Sequence, residues 1–303
     1  MRSLMFIPGN DPRKLEKGLC SGADALIVDL EDSVPTGEKA GARRICADFI
    51  SLHCGALPLF VRVNALSTGL ILDDLAAVVR ARPYGIMLPK CTGGADVALV
   101  CNYLSALEAR EGLAAGSIRI LPIVTELAAA LFDMRSYARE AGPRLCGMLW
   151  GGEDLATDVG AMTNSDGVRY AAPFELARSL CLFAATAAGV PAIDAVFTDF
   201  RNVDALRAEA REAAQGGFSG KAAIHPAQVD PINAAFTPGE NELTIARAII
   251  AAFASAPTAG AVSIDGRMLD RPHLRAAERL ITRGADAAAA SRTSSFKPSQ
   301  GSS

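Results

Sequence analysis

Residues 25–32 read ALIVDLED, an apolar run that passes directly into three acidic side chains. Short apolar runs bounded by turn residues predict strands, and this one predicts a strand over Ala25–Asp29. Seven more runs of the same kind occur along the chain, at residues 4–7, 59–63, 85–88, 118–124, 146–150, 192–197 and 218–224. The sequence therefore predicts eight strands.

Almost every predicted strand is followed by an amphipathic or alanine-rich helical stretch, at residues 11–20, 38–52, 70–81, 94–111, 126–140, 169–188, 201–215 and 226–235. Eight strand–helix units in series predict an α/β fold, a (β/α)8 TIM barrel over residues 1–236, close to the usual size of about 250 residues. A doubly wound open sheet is the competing architecture. The positions of the polar residues favour the barrel, because barrels carry their active sites at the carboxyl ends of the strands.

The carboxyl ends of predicted strands five and six carry a pair of acids, Glu126 and Asp154. Adjacent barrel strands would direct both carboxylates into one cavity, where two hard oxygen ligands with water and substrate oxygens suit Mg²⁺. The same acids could instead cap the following helices or lie in their first turns. Glu153 is the rival metal ligand.

Arg62 lies inside an apolar strand, and a buried guanidinium needs a counter-charge. It could pair with Asp29 or Glu31, or its planar fork could bind a substrate carboxylate through two parallel hydrogen bonds. Asp29, Glu31 and Asp32 would then lie behind a metal ion or Arg62, or form a solvated loop.

Two lysines and one histidine near strand ends could also carry chemistry. Lys90 and Lys221 could suggest a Schiff-base aldolase. No cation that would lower a lysine pKa lies beside either in the sequence, so we interpret Lys90 as a phosphate or carboxylate contact and Lys221 as a structural or anion-binding group. His225 precedes Pro226, which suggests a helix entry, although its position at a strand end also allows a functional role.

Composition excludes several classes of protein. The 303 residues carry 30 Lys and Arg against 33 Asp and Glu, so the chain lacks the basic character of a nucleic-acid-binding protein. Gly216–Lys221 departs from the spacing of a phosphate-binding loop, and no dinucleotide-binding glycine pattern occurs. Seven cysteines without a Cys-x-x-Cys pair, and three dispersed histidines, disfavour a disulfide framework or a histidine metal site. With no apolar run of membrane-spanning length and no secretory signal, we expect a cytoplasmic protein.

The pattern changes after residue 236. Residues 240–255 predict a helix, residues 261–270 a hairpin, and residues 272–283 a last helix. We expect residues 237–290 to form a C-terminal extension and the low-complexity residues 291–303 to be a disordered tail.

Several segments together resemble the citrate lyase β-subunit family, within the HpcH/HpaI aldolase group that includes malyl-CoA and citramalyl-CoA lyases. The segments that carry the resemblance are Arg2–Asn10, Gly22–Ala25, Val28–Pro35, Val61–Asn64, Gly85–Lys90, Gly152–Ala156, Gly220–Gln228 and Asp265–Asp270.

The resemblance implies a TIM barrel that uses Mg²⁺ to cleave a β-hydroxyacyl coenzyme A thioester of citramalyl, malyl or citryl type into an acyl thioester and a 2-oxo acid, or to run the reverse Claisen condensation. By the same resemblance Glu126 and Asp154 match the Mg²⁺ ligands and Arg62 the arginine that binds the oxo-acid carboxylate. Asp270 matches an acid that reaches a neighbouring subunit's site, where we expect it to protonate the enolate.

The resemblance also implies a homo-oligomer, a trimer or hexamer. It leaves open a citrate lyase β subunit that takes its thioester from an acyl carrier subunit, a related thioesterase or malate synthase-like activity, and a non-catalytic member of the family.

Overall fold

The computed structural model describes residues 1–167, 169–264 and 266–294, and within them all eight predicted strands are present. They are β1 (Ser3–Pro8), β2 (Ala25–Asp29), β3 (Leu59–Arg62), β4 (Gly85–Leu88), β5 (Arg119–Pro122), β6 (Met148–Leu149), β7 (Ala192–Asp194) and β8 (Gly220–Ala223).

The strands are parallel and follow the order β5-β4-β3-β2-β1-β8-β7-β6. The two ends of this sheet meet through parallel bridges, Ile120 with Leu145 and Ile123 with Leu149. Because these bridges join the β5 segment to the β6 segment, the sheet closes. The predicted barrel is confirmed, and the doubly wound open sheet is wrong.

The barrel is surrounded by helices, and most lie where the sequence predicts them. They are α1 (Pro12–Leu19), α2 (Lys39–His53), α3 (Ile71–Val78), α4 (Gly94–Arg110), α5 (Tyr137–Glu140), α6 (Glu153–Asp158), α7 (Ala172–Ala188), α8 (Val203–Gly216) and α9 (Val229–Phe236).

The helix predicted over residues 126–140 is wrong. The segment forms 3₁₀ turns at Ala128–Phe132 and Met134–Ser136 before the single turn of α5. Ser136 accepts a hydrogen bond on Oγ from the backbone of Gly94 at 2.7 Å, so this stretch is shaped to receive the start of α4. A Cβ atom at Gly94 would lie 2.4 Å from the Ser136 carbonyl, which explains the glycine there.

Alternation along the strands decides which side chains enter the barrel. Ala25 and Ile27 of β2 and Phe60 of β3 belong to the core inside the barrel. Two residues further along their strands, Asp29 and Arg62 have the same orientation, and they are paired in register. The alternation therefore places the Asp29 carboxylate and the Arg62 guanidinium side by side at the carboxyl end of the barrel.

The C-terminal extension is a helix, a hairpin and a second helix, as predicted. It comprises α10 (Glu240–Ser255), β9 (Ala261–Ile264), β10 (Arg267–Asp270) and α11 (Arg271–Ser294), and α10 packs against α11. Helix α11 is longer than predicted, so the first residues of the predicted tail are helical. The rest of that tail and Asp265 lie outside the described residues. No helix of the described part is long and apolar enough to cross a membrane.

Candidate active site

Glu126 lies just beyond β5 and is almost completely buried. Its Oε2 accepts a hydrogen bond of 2.5 Å from the backbone N–H of Lys90. Burial, helped by the neighbouring Asp154 and Glu31 carboxylates, raises the pKa of Glu126 to about 8, against the lowering effects of that N–H and of the Arg62 charge. A buried carboxyl group that lacks a close cation of its own suits a metal ligand.

Gly151 gives Glu126 the space it needs. A Cβ atom at this position would lie 2.9 Å from Glu126 Cγ and 3.1 Å from Ile123 Cγ2. The backbones around them are also joined, because Thr125 Oγ1 donates to the Gly151 carbonyl and accepts from the Gly151 N–H. The β5 and β6 ends are therefore held close together.

Asp154 lies in the first turn of α6, and its side chain is one-third exposed. The rival ligand Glu153 also lines the cavity, but it is exposed and accepts a hydrogen bond of 2.7 Å from Asn164. The first-turn position that the sequence allows is thus present for Asp154, together with its position at the strand end. Glu126 precedes the 3₁₀ turn that begins at Ala128 and neither caps a helix nor lies in one.

Arg62 pairs with both of the acids that the sequence offers it. Its Nε and Nη2 atoms donate to the two oxygens of Asp29 at 2.7 and 2.6 Å, and Nη1 lies 3.1 Å from Glu31 Oε2. Burial by itself would raise the pKa of Asp29, but the hydrogen bonds and the charge of the Arg62 guanidinium outweigh burial, so the pKa of Asp29 is lowered. The guanidinium also lies over the Phe6 ring, 5.0 Å from its centre.

Arg62 still has donors for a ligand. A guanidinium carries five N–H groups, and two of them bind Asp29. The others lie on Nη1 and Nη2, and Arg62 lines the cavity that contains Glu126 and Asp154. Pairing with acids of the protein and binding of a substrate carboxylate are therefore compatible.

Lys90 joins the ends of three strands. Its Nζ atom lies 2.5 Å from Glu31 Oε1, 3.2 Å from Asp32 Oδ2 and 3.6 Å from Asp154 Oδ1. Its backbone adopts φ = 50°, an uncommon left-handed conformation for a residue with a side chain. The carboxylates that Lys90 contacts belong to the protein itself, so its contact with a phosphate or carboxylate of a ligand stays a prediction.

The site carries more acids than bases. Two cations, Arg62 and Lys90, face five carboxylates, those of Asp29, Glu31, Asp32, Glu126 and Asp154. Glu31 Oε2 is buried and has no hydrogen-bond donor, although Arg62 lies close to it. This excess of negative charge and the oxygen-only donor set fit a hard divalent cation such as Mg²⁺.

These residues fit a Mg²⁺ site in which the protein supplies only a few of the ligands. Within the described residues, no three His, Cys, Asp or Glu side chains are grouped so that they could hold a metal. Mg²⁺ often takes one or two carboxylates and completes its shell with water and substrate oxygens. Glu126 and Asp154 would be the two.

These groups surround a cavity of about 110 Å³ at the carboxyl end of the barrel. Its charged lining residues are Arg62, Glu126, Glu153 and Asp154, and its remaining lining is mostly apolar or aromatic: Phe6, Ile123, Leu149, Trp150, Tyr170, Ala195 and Val196, with Gly151, Gly152 and Asn164.

Three other candidates lie outside this cavity. Lys221 is fully buried between Asp194 and Glu209, so the structural interpretation fits it. The exposed His225 accepts a hydrogen bond on Nδ1 from Ala227 and begins a 3₁₀ turn, as a helix-entry residue does. Asp270 lies on β10 with half of its side chain exposed.

Asp270 contacts His273 at 2.6 Å rather than any charged residue of the cavity. The hydrogen bond from His273, against a small effect of burial, lowers the pKa of Asp270. In this chain Asp270 is therefore a carboxylate remote from the cavity lining.

The sequence analysis missed a buried network behind the cavity wall. Asp194 accepts a hydrogen bond from the Trp150 indole at 2.7 Å and pairs with Arg178 and Lys221. Trp150 packs edge-on against Tyr170. The signal was an aspartate inside the apolar strand β7, the same kind of signal that identified Arg62.

Comparison with known proteins gives a consistent result. The family model for HpcH/HpaI aldolase/citrate lyase matches residues 2–226. The chain is 34% identical over 296 residues to a (3S)-malyl-CoA thioesterase of Cereibacter sphaeroides, covering 97% of each chain. It is 33% identical to the mitochondrial citramalyl-CoA lyase of Rattus norvegicus, covering 93% of this chain and 85% of the relative.

It is also 32% identical to the citrate lyase subunit beta of Leuconostoc mesenteroides subsp. cremoris, covering 92% of each chain. Among solved structures, the protein CitE from Mycobacterium tuberculosis in complex with magnesium, acetoacetate and coenzyme A has a TM-score of 0.74 at 30% identity. The match covers 94% of this chain and 98% of that chain.

Proposed function

The chain belongs to the HpcH/HpaI aldolase/citrate lyase family, and from that premise we propose that it is a Mg²⁺-dependent carbon–carbon lyase. Its substrate is a β-hydroxyacyl thioester of coenzyme A, and its products are an acyl thioester and a 2-oxo acid. The observation that carries the proposal is the meeting of Glu126, Asp154 and Arg62 around one small cavity.

Glu126 and Asp154 would hold the Mg²⁺ ion. When bound, Mg²⁺ supplies Lewis acidity to the oxygens of a substrate carboxylate and hydroxyl or carbonyl group. The crystal complex of the Mycobacterium tuberculosis relative contains magnesium and coenzyme A, which supports the use of Mg²⁺. Two carboxylates that share a site repel each other, and a divalent cation removes that repulsion.

Arg62 would bind and orient the 2-oxo acid half. Cleavage removes the proton of the β-hydroxyl group, breaks the carbon–carbon bond, leaves its electron pair on the thioester enolate and ends with protonation of that enolate. The N–H groups of Arg62 that Asp29 does not use would hold the carboxylate of the departing oxo acid. Asp29 keeps the guanidinium fixed, so little reorganisation is needed during the reaction.

Asp270 would protonate the enolate in the site of a neighbouring copy. The support is that Asp270 lies on an exposed hairpin and is absent from the lining of its own chain's cavity. Its pKa is lowered by His273, so it must exchange that partner for a less polar environment before it can carry a proton. This assignment requires a homo-oligomer.

A subunit-mixing experiment tests the shared site. We expect oligomers of Arg62→Lys alone and of Asp270→Asn alone to be inactive, and mixed oligomers to regain part of the activity. Mixed oligomers that stay as inactive as their parents would contradict a shared site.

The lyase proposal is tested by product analysis with malyl-, citramalyl- and citryl-CoA, with and without Mg²⁺. We expect a 2-oxo acid to form only with Mg²⁺, and Glu126→Gln to abolish both this activity and Mg²⁺ binding measured by calorimetry. Glu153→Gln is the matched control and should keep Mg²⁺ affinity unchanged. A loss of Mg²⁺ binding in Glu153→Gln but not in Glu126→Gln would reverse the ligand assignment.

Hydrolysis of the thioester is the second candidate, because a (3S)-malyl-CoA thioesterase is among the relatives. A hydrolase would release the coenzyme A thiol and the intact hydroxy acid with no 2-oxo acid. A citrate lyase subunit, which another relative represents, would be inactive on coenzyme A thioesters and active on an acyl carrier protein. The same product analysis, extended to a citryl acyl carrier protein, separates all three.

A further inference from the structure

We infer that Asp194 of β7 is a positioning residue for the metal site, because it holds the Trp150 ring and that ring fixes the turn that presents Asp154. The inference rests on the proposed function, in which Asp154 is a Mg²⁺ ligand. Asp194 itself lies outside the lining of the cavity, and the reaction described above does not use it.

Asp194 faces the layer of helices rather than the interior of the barrel. Ile193 belongs to the core inside the barrel, whereas Ala192 belongs to the core between the barrel and the helices. Side chains alternate along a strand, so Asp194 has the orientation of Ala192. It is fully buried there, and it can influence the cavity only through another side chain.

Two cations keep Asp194 ionised. Lys221 Nζ donates to Oδ2 at 2.8 Å, and Arg178 Nε donates to Oδ1 at 3.0 Å. Burial opposes this charge, but Lys221 and Arg178 together overcome burial and lower the pKa of Asp194. Oδ1 is therefore a charged acceptor, and hydrogen bonds to charged groups are roughly twice as strong as neutral ones.

The indole of Trp150 uses this acceptor. Its Nε1 atom donates to Asp194 Oδ1 at 2.7 Å, and an indole has no other hydrogen-bonding group. The ring packs edge-on against Tyr170, with 4.9 Å between the ring centres, and the Tyr170 hydroxyl donates to Glu209 at 3.3 Å. Glu209 also accepts from Lys221, so one ammonium group joins both rings to the same network.

The far edge of the Trp150 ring lies against the start of α6. A Cβ atom at Gly152 would lie 3.0 Å from Cζ3 and 3.2 Å from Cη2 of Trp150. Gly152 is the N-cap of α6, and its carbonyl accepts a hydrogen bond from the Ala156 N–H at 3.0 Å. Asp154 is the second residue of the same helix. The position of the ring therefore sets where α6 begins and where the Asp154 carboxylate lies.

The rest of the cavity does not depend on this contact. The cavity floor, Ile123 and Leu149, belongs to the core inside the barrel. Glu126 is held by the backbone N–H of Lys90. Loss of the contact between Asp194 and Trp150 should therefore displace one metal ligand and leave the other in place, so that Mg²⁺ affinity falls without vanishing.

Calorimetry of Mg²⁺ binding to the full chain tests the inference without any turnover. Asp194→Asn keeps the shape of the side chain and removes its charge. Groups that orient a metal ligand contribute roughly 10–100-fold to metal affinity, and we expect a loss of about tenfold because Asp194 acts through a ring. Wild-type affinity in Asp194→Asn overturns the inference.

Glu108→Gln is the matched control. Glu108 also forms a buried pair with an arginine, Arg144, and it accepts a hydrogen bond from the backbone of Ile118 beside the amino end of β5. It lies outside the cavity lining, so Glu108→Gln should keep the wild-type affinity for Mg²⁺. An equal loss of Mg²⁺ affinity in Glu108→Gln would show a general effect of stability and would overturn the inference.

Two further measurements distinguish positioning from stability alone. Asp194→Asn should raise the Mg²⁺ concentration for half-maximal activity by roughly tenfold and regain most of kcat at saturating Mg²⁺. A lower kcat at every Mg²⁺ concentration, with no shift of the half-maximal concentration, contradicts a positioning role. Acrylamide quenching of Trp150, the single tryptophan, should increase in Asp194→Asn and not in Glu108→Gln, and unchanged quenching would show that Asp194 does not hold the ring.

Gly152→Ala tests the second contact without removing a charge. Its Cβ atom would press on a ring that Asp194 holds, so the turn must shift, and Mg²⁺ affinity should again fall by roughly tenfold. Gly37→Ala, with open space around it, is the control and should bind Mg²⁺ as the wild type does. Wild-type affinity in Gly152→Ala would show that the ring does not set the position of Asp154.

The results also separate the positioning role from the proposed function. If Glu126→Gln abolishes Mg²⁺ binding and Asp194→Asn binds as the wild type does, the metal site stands and the positioning role fails. If Asp194→Asn weakens Mg²⁺ binding and the wild type forms no 2-oxo acid, the positioning role stands and the lyase function fails. A wild-type chain that binds no Mg²⁺ overturns both.

Discussion

Replacement of Lys221 by methionine should destabilise the whole barrel. Lys221 is fully buried, and its Nζ atom contacts Asp194 Oδ2 at 2.8 Å, Glu209 at 2.6 Å and the Ala195 carbonyl at 2.7 Å. Methionine keeps the length of the side chain and removes its charge. Asp194, which is also fully buried, would then lose one of its two cations and keep only Arg178.

The size of the effect follows from this geometry. Breaking a buried ion pair by removal of one partner costs about 3–5 kcal/mol, because the other charge stays buried. Asp194 keeps Arg178 at 3.0 Å and the Trp150 indole at 2.7 Å, so we expect a loss near the lower end, about 3 kcal/mol. At roughly 2–4 °C per kcal/mol, Tm should fall by about 6–12 °C.

The chain offers its own reporter for this measurement. Trp150 is the single tryptophan, and its indole N–H donates to Asp194. Urea unfolding followed by tryptophan fluorescence and by far-ultraviolet circular dichroism would give the free energy of unfolding. Arg207→Met is the matched control, because the exposed Arg207–Asp204 pair should contribute no more than about 1 kcal/mol. A Lys221→Met protein within 1 kcal/mol of wild type would refute the reasoning, on the scale that exposed pairs set.

Two further perturbations test the packing of the barrel and the site. Although burial opposes it, Arg144 lowers the pKa of Glu108 from its ordinary 4.5 to about 2, so this contribution to stability is present above pH 4.5 and is lost as pH falls towards 2. Glu108→Gln should flatten the stability profile in that window, and an unchanged slope in acid unfolding would contradict it. Gly151→Ala should lower kcat/KM by roughly tenfold or more, because its Cβ atom would displace Glu126, whereas Gly37→Ala, with open space around it, should not. Wild-type activity in Gly151→Ala would show that Glu126 tolerates the shift.

The fold could be predicted from the sequence because the same strand–helix unit repeats along the barrel. Eight short apolar runs separated by helical stretches predicted eight strands, and the structure has them in a closed parallel barrel. Boundaries were less accurate where local contacts override periodicity. The segment after β5 is broken into 3₁₀ turns around Ser136, and no propensity scale contains the contact with Gly94 that shapes it.

The charged residues at the strand ends could be identified from the sequence, but most of their contacts could not. Arg62 and Asp29 stood out because charges are rare within apolar strands, and their pairing follows from the register of β2 and β3. By the same rule Asp194 could have been identified. Its partners could not, because Lys221, Arg178 and Trp150 come from three other parts of the chain.

The sequence by itself determined the barrel, the carboxyl-end position of the acids and the class of metal that they suit, because these depend on local periodicity and on the chemistry of single side chains. Only the tertiary structure decided that Arg62 keeps donors free beside Asp29, that Gly151 makes room for Glu126 and that the cavity floor is hydrocarbon. These properties depend on distances of a few ångströms between residues far apart in the chain, and closure of the barrel sets those distances.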